Sequence, residues 1–420
     1  MKRSPRRIAM LTLHSSPFGE LGARDTGGMS VYVRELAWEL GRRGCRVDLF
    51  TRRGPAGPDT VRPAGPNVRL VPLDGGGRED DGKLGLYPRL PEFLRSLEAF
   101  RAADGGDYDL VHSHYWLSGC LGAAAAARWG APHAVTFHTL GVAKNRSGCG
   151  ELEPELRLSE EEALATGCDR VLAPTSRERE MLIRYCGAPP RRVAVVPCGV
   201  RLDRFRPLDR RASRERLGLA AEDRVLLYVG RFSPVKGAER LLEAFAAMGR
   251  GPRTRLLLVG GDGPGSPSTA ALELRARCLG ISGEVSFLGR VDQGELPTHY
   301  SAADLLVLPS YYESFGLVAL EALACGTPVA ATRVGVAADL LDPSVNGLLL
   351  EGDPGALARG LEEALRRARA GAWPRSGVRA SVSVYGWDRV ADAVLREYQD
   401  LAAAQAMGES CPVAASGGEP

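Results

Sequence analysis

The stretch SYYESFGLVALEALACGTP, Ser310–Pro328, decides the fold. It follows DLLVLP (Asp304–Pro309), an unbroken apolar run of the kind a strand buried on both faces requires, and passes into a helical pattern from about Gly316 to Ala324. A buried strand, a short polar loop and a helix N-terminus make an anion site, because the first N–H groups of a helix have no partner within it. Ser314 is the expected N-cap. The N–H groups of Phe315, Gly316 and Leu317 are the expected donors to a phosphate or an electron-rich sugar oxygen. Two carboxylates flank them, Glu313 in the loop and Glu321 in the helix, with seven residues between. That separation is too long for a shared proton and suits a grip on two parts of one extended ligand. The bland alternative is an ordinary turn, with Glu313 solvated and Glu321 paired to an arginine. The apolar company of Glu321 (Leu317, Val318, Leu320 and Leu323) counts against it, since an unpaired carboxylate there would be costly.

Outward from this stretch, strands and helices alternate along the chain. IAMLTL (Ile8–Leu13), RVDLFT, DLVHSH (Asp109–His114), HAVTFH (His133–His138), RVLAP (Arg170–Pro174) and VAVVP (Val193–Pro197) read as strands. Helices are expected over Met29–Leu40 and near Glu92–Ala102, Leu158–Thr166 and Arg177–Tyr185. The Pro- and Gly-rich stretch Gly54–Gly85 reads as irregular, and the Arg-rich Cys198–Arg216 as a linker. Beyond it VLLYVG, LLLVG, EVSFLG, DLLVLP and GLLLE repeat the alternation to about Val384. The expected fold is α/β, with two doubly wound parallel sheets over residues 1–198 and 199–386, a last helix at 387–405 and an unstructured tail at 406–420. Ligands of such sheets bind at the carboxyl ends of the strands.

Composition narrows the function. At 420 residues, 44% apolar and 25% charged, the chain has the make-up of a globular protein of two or three domains. A net charge of +3 with no basic stripe interleaved with aromatics argues against nucleic acid. Lysine is scarce: only Lys2, Lys83, Lys144 and Lys236 occur among 54 basic residues, so each lysine invites a question about its role. Nine cysteines without zinc spacing, Cys45, Cys168, Cys278 and Cys325 among them, read as buried free thiols in a reducing cytoplasm. No apolar segment approaches the length of a membrane helix. The basic amino end, MKRSPRR, leaves a peripheral contact with anionic lipid as an alternative. GGDGPG (Gly260–Gly265) lacks the register of a dinucleotide fingerprint, so no nicotinamide cofactor is expected.

RFSPVKG (Arg231–Gly237), directly after VLLYVG, puts two cations at a strand end, where Arg231 offers a fork and Lys236 a point charge to a diphosphate. Together with ESFGLVALEALACGTPV it resembles the retaining glycosyltransferases of family 4, whose architecture is GT-B, two Rossmann-like domains facing across a cleft. The resemblance implies that Glu313 and the N–H groups after it hold the donor sugar and that Glu321 binds the ribose hydroxyls. It implies that Arg231 and Lys236 bind the pyrophosphate, that Arg290 contacts the nucleobase through its backbone, and that the last helix crosses back onto the first domain.

In the amino half, GGMSVYV (Gly27–Val33), HSHYWLSG (His112–Gly119) and VTFHTLGVAKN (Val135–Asn145) resemble the glycosyltransferases that open mycothiol synthesis by joining N-acetylglucosamine from its UDP form to inositol phosphate, and more loosely the sucrose-phosphate synthases. Gly27 and Gly28 would let the backbone pass against the donor. The resemblance sets His138 against the donor sugar, and Lys83, Tyr115, Thr139 and Arg157 around an acceptor phosphate. His112, His114 and His133 read as core or surface residues. Two departures bear on the acceptor: Ser30 stands where those enzymes carry Asn, shortening a side chain that would face the acceptor ring, and VGVAADLL (Val334–Leu341) lacks a second glycine and a Glu.

The expected activity is transfer of a hexose, N-acetylglucosamine or glucose, from a nucleotide diphosphate sugar to a hydroxyl of a small polar acceptor such as inositol phosphate. No D-x-D motif ends a strand, so neither metal nor cofactor is expected, and His138, Arg231, Lys236 and Glu313 are the expected catalytic set. A homodimer is allowed for. The competing readings are a natural-product transferase acting on an aminocyclitol or sugar, and a silent sugar-nucleotide-binding protein.

Overall fold

A computed structural model describes residues 5–19, 26–53, 60–76, 82–249, 251, 253–261, 263 and 265–407. Its first sheet is built from β1 (Arg7–Leu11), β2 (Arg46–Arg52), β3 (Arg62–Gly65), β4 (Val68–Leu73), β5 (Leu110–His114), β6 (His133–Thr136), β7 (Arg170–Ala173) and β8 (Val193–Val195), in the order β3-β4-β2-β1-β5-β6-β7-β8. All its pairings are parallel except β3 with β4. The second sheet, wholly parallel, is built from β9 (Arg224–Gly230), β10 (Thr254–Gly260), β11 (Val285–Gly289), β12 (Leu305–Leu308), β13 (Val329–Thr332) and β14 (Gly347–Leu350), in the order β11-β10-β9-β12-β13-β14. The α/β reading is therefore correct. The central strands β1, β5, β6 and β12 are buried along their whole length, as runs covered by helices on both faces must be.

Strand order reverses between β1 and β5 in the first sheet and between β9 and β12 in the second, and a crevice opens at the carboxyl ends of each such pair. The segments after β5, β9 and β12 begin with Tyr115, Arg231 and Pro309. The long helix Trp387–Ala406 packs on the first lobe: Tyr398 bonds His112 at 2.6 Å, Arg43 pairs with Asp392 at 2.7 Å, and Trp387 meets Tyr32 edge-on.

Several expectations need correcting. Gly54–Gly85 is not irregular throughout, since β3 and β4 lie within it; residues 54–59 and 77–81 fall outside the described residues. Pro63 is tolerated because β3 is an exposed edge strand, where a missing N–H costs no ladder bond. Nor is Cys198–Arg216 a bare linker. Its helix Arg210–Arg216 is capped by Asp209 and anchored to the second lobe through Arg214 and Asp304, which are 3.0 Å apart and buried. Of the described cysteines, Cys45, Cys168, Cys186, Cys198 and Cys325 are buried, whereas Cys278 is exposed, against expectation. The last helix runs on to Ala406, and 408–420 lie outside the described residues.

Candidate functional site

In the carboxyl lobe, β9 and β12 deliver Arg231, Lys236 and Glu313 to one crevice. Lys236 Nζ donates to Glu313 Oε2 at 2.6 Å, and Ser310 Oγ donates to the other carboxylate oxygen at 2.7 Å. The turn that carries Lys236 is held tight by Gly237, whose φ is +72°; a Cβ there would fall 2.2 Å from the carbonyl oxygen of Pro309. The Glu313 loop is supported from the side by Gly335, where a Cβ would fall 2.2 Å from Phe315 O, and Val336 N–H donates to that same oxygen at 2.7 Å. VGVAADLL thus props the loop with the one glycine it keeps.

Helix Leu317–Ala324 begins at Gly316, in the left-handed region (φ +93°). Ser314 is not its N-cap. It reaches instead across the cleft, where its hydroxyl donates to Glu178 Oε2 at 2.5 Å. Glu321 is buried and takes the Tyr300 hydroxyl at 2.7 Å, so the paired-arginine alternative fails. Burial pushes its carboxyl up to about 7, although the Tyr300 hydrogen bond and Arg204 pull the other way. Arg290 is exposed and its Nε donates to Gly261 O at 3.3 Å.

The amino lobe gathers its site from segments far apart in sequence. Tyr115 and His138, the residues after β5 and close after β6, both have positive φ (+77° and +61°). Left-handed backbone at a non-glycine residue costs about 1–3 kcal/mol and is kept where the surroundings or a function demand it. His138 Nε2 bonds His114 Nδ1 at 2.9 Å, and burial lowers the His138 imidazole to about 3. It is therefore neutral at any ordinary pH, able to donate or accept one hydrogen bond but carrying no charge. His112 is held between Tyr398 and Thr136, and His133 bonds Ser113 at 2.8 Å; both serve the core. His114 instead backs His138.

Arg157 is the hub of the acceptor side. Its guanidinium lies 4.9 Å from the centre of the Tyr115 ring and donates to Thr139 Oγ1 (3.1 Å) and Thr139 O (2.8 Å). It also pairs with Glu161 (2.7 Å) and Glu153 (2.8 Å). Lys83 lies 5.5 Å from the same ring. His14 packs on Tyr115, and its imidazole is lowered by burial and then by Lys83, His138 and Arg157, so these groups share one neighbourhood. Ser30 stands apart. It has no exposed surface and bonds Ser15 at 2.7 Å, so it braces the loop after β1 rather than facing an acceptor. Gly28 lies against Leu317, where a Cβ would sit 3.4 Å from that side chain, and no atom approaches within 4 Å of a Cβ built at Gly27.

The lobes touch around this crevice. Leu140 N–H donates to the Tyr312 hydroxyl at 3.3 Å, Arg177 donates to Arg333 O at 2.8 Å, and Arg34 to Gln293 at 3.1 Å. Residues 26–204 match the family Glycosyltransferase Family 4, and residues 209–370 match Glycosyl transferases group 1. A D-inositol 3-phosphate glycosyltransferase of Geodermatophilus obscurus is 41% identical, in an alignment covering 98% of this chain and 93% of that protein. The chain is a glycosyltransferase of family 4. The D-inositol 3-phosphate glycosyltransferase of Mycobacterium tuberculosis H37Ra is 40% identical to this glycosyltransferase, over 94% of the chain and 83% of that protein. Sucrose-phosphate synthase from Thermosynechococcus elongatus superposes with a TM-score of 0.87 at 34% identity, over 95% of this chain and all of that one. An Anabaena protein crystallised with UDP-glucose shares the fold at 20% identity and a TM-score of 0.74, over 94% and 99%. The two facing lobes are the GT-B fold.

Lys144 and Glu178 were given no role by the sequence reading. Lys144 pairs with Glu153, yet its ammonium is lowered to about 8, first by burial and then by Arg157, Lys83 and Arg231. The scarcity of lysine was its signal: Lys2 lies outside the described residues, and the other three lysines all lie at the site. Glu178 is buried, its carboxyl raised to about 7 by burial, and joins the lobes through Ser314. Its spacing from Thr175 is that of a capping box, and Thr175 does cap helix Ser176–Tyr185. Nothing local says that the Glu turns across the cleft. No helix of the described residues is long and apolar enough to cross a membrane.

Proposed function

We propose that this glycosyltransferase moves a hexose, N-acetylglucosamine or glucose, from a UDP-sugar to a hydroxyl of a phosphorylated cyclitol such as inositol phosphate, with retention at the anomeric carbon. The observation that carries the reading is the convergence of Lys83, Tyr115, Thr139 and Arg157, from four segments, beside His138. Hydroxyls and cations so gathered make a phosphate pocket at the carboxyl edge of the first sheet. The identity to D-inositol 3-phosphate glycosyltransferases supports the same acceptor.

In the proposed reaction Glu313 and the N–H groups at the start of helix Leu317–Ala324 hold the sugar, and Glu321 takes the ribose diol. The acceptor oxygen attacks the anomeric carbon from the face the diphosphate leaves. The C–O bond to the β-phosphate breaks as the new one forms, and the departing phosphate oxygen takes the acceptor's proton. Arg231, Lys236 and the helix end neutralise the diphosphate in place of a metal. Neutral His138 is positioned to donate or accept a hydrogen bond at a sugar hydroxyl. Free thiols support a cytoplasmic setting.

Turnover of UDP-N-acetylglucosamine and UDP-glucose with inositol phosphate, inositol and an aminocyclitol, in EDTA, tests this. The expected result is transfer to inositol phosphate with an α-linked product by NMR. Turnover of the aminocyclitol alone would give the reaction to a natural-product transferase, and a β-linked product would remove the front-face mechanism.

A further inference from the structure

In the proposed phosphate pocket Arg157 has no vacancy at its face toward Glu153. Its Nε is taken by Glu161, its Nη2 by Thr139 and its Nη1 by Glu153. The two carboxylates differ in kind. Glu161 is 1% exposed, lies within helix Glu155–Gly167 and also accepts the Gly141 N–H at 2.7 Å, so it is part of the framework. Glu153 is 15% exposed and lies on the loop before that helix. It spans Lys144 and Arg157, one carboxylate oxygen on each. Its backbone is pinned on both sides by Asn145, which accepts the Glu153 N–H at 2.7 Å and donates to its carbonyl at 3.4 Å. The side chain can therefore turn outward without moving the loop.

We propose that Glu153 is a specificity-determining residue that stands in for the acceptor's phosphate: it neutralises Lys144 and Arg157 while the acceptor site is empty and is displaced when a phosphorylated acceptor enters. This rests on the phosphorylated-acceptor reading above. The charge balance fits. Lys144 and Arg157 against Glu153 and Glu161 balance at 2 − 2 = 0, and with Glu153 turned away the same groups carry 2 − 1 = +1. A phosphate monoester brings about −1.5 to −2 at neutral pH, so it more than replaces the negative charge that Glu153 takes away. An acceptor without phosphate gives Glu153 no reason to leave. The residue thus taxes every anionic ligand by the strength of its own two ion pairs, and the tax is smallest for the ligand that best replaces them.

The test is calorimetric titration of the full-length protein, wild type and Glu153→Gln, with inositol monophosphate and with inorganic phosphate, alongside steady-state kinetics with inositol monophosphate and inositol. Glu153→Gln keeps the shape and removes the competing charge, so it should bind both phosphates roughly tenfold more tightly and lower KM for the phosphorylated acceptor alone, with the donor KM unchanged. Equal affinity in the two proteins would overturn the inference and leave the phosphate reading standing. If neither protein binds either phosphate, both fall together. Should Glu153→Gln fail to fold, the wild-type structure with inositol monophosphate decides: Glu153 must be found off Arg157, and a carboxylate still within hydrogen-bond distance of it overturns the displacement.

Discussion

Lys236 and Arg157 are both cations near the carboxyl edge of a parallel sheet, and both pair with a glutamate, yet they are held very differently. Lys236 sits on a short turn, its side chain 23% exposed, against a Glu313 that the solvent also reaches. Arg157 is 3% exposed and spreads its guanidinium over two carboxylates, a threonine and an aromatic ring. The donor side is thus mounted on loops that the fold can spare. The acceptor side is built into the core, so its chemistry and the lobe's stability draw on the same contacts. Substitutions should separate activity from stability on one side of the cleft and confound them on the other.

The largest effect is expected at Lys236. Lys236→Ala removes a charge that would face the departing diphosphate, and losing such a group costs about 10²–10³ in kcat or more. Its melting temperature should stay within about 2 °C of wild type, because a part-exposed pair contributes little. An unchanged turnover number would remove Lys236 from the leaving-group role.

Arg157→Ala should do the reverse in one respect. It strands Glu161, which is 1% exposed, without its guanidinium, and breaking a buried pair by removing one partner costs about 3–5 kcal/mol. A marked fall in melting temperature should accompany weaker use of a phosphorylated acceptor. A variant as stable as wild type would mean that Arg157 is not built into the core as described.

His138 lies between these extremes. Its ring bonds His114 at 2.9 Å while its backbone holds φ +61°. His138→Asn keeps a residue tolerant of that backbone and removes the imidazole. Turnover should fall about a hundredfold, in the range of one lost transition-state hydrogen bond, with stability nearly unchanged. A large loss of stability without loss of turnover per folded molecule would assign His138 to the core with His112 and His133.

The same contrast explains how far the sequence could be read. RFSPVKG and ESFGL are contiguous, each follows one strand, and a strand-end loop can meet its ligand with neighbouring residues, so Arg231, Lys236 and Glu313 converge as the motifs imply. Residues whose partners are fixed by tertiary packing were not visible in this way. Ser314 looked like a cap because Ser before a helix usually is one, but Gly316 starts the helix in a left-handed turn and frees the hydroxyl for Glu178. Ser30 looked like an acceptor contact, and only the folded chain shows Ser15 beside it. Glu153 gave no signal, since a glutamate before a helix is ordinarily solvated. β3 and β4 were lost among prolines and glycines that an edge strand tolerates and a central one would not.

The smallest expected effect is a pH dependence of donor binding, and it bears on a donor-side residue that, unlike Lys236, is buried. Glu321 has its carboxyl raised by burial to about 7, well above the usual glutamate value. Between about pH 4.5 and 7 the folded protein therefore holds a proton that the unfolded chain has lost. The stability this confers is complete below about pH 4.5 and is given up as the pH rises through about 7. A ribose diol donates two hydrogen bonds and favours the ionised, acceptor-only carboxylate, so nucleotide binding should expel that proton. UDP should then bind up to roughly tenfold more tightly at pH 8 than at pH 6, since about nine-tenths of Glu321 would be protonated at the lower value. Glu178 is raised to about 7 as well, so the titration belongs in a Glu178→Gln background, with Glu178→Gln/Glu321→Gln as the comparison. In the double variant UDP affinity should be weak and its rise with pH correspondingly shallower, leaving only what the terminal phosphate of UDP and Lys144 contribute. A slope unchanged by the loss of Glu321 would show that the proton comes from elsewhere, and that the buried carboxylate shapes the helix without touching the ribose.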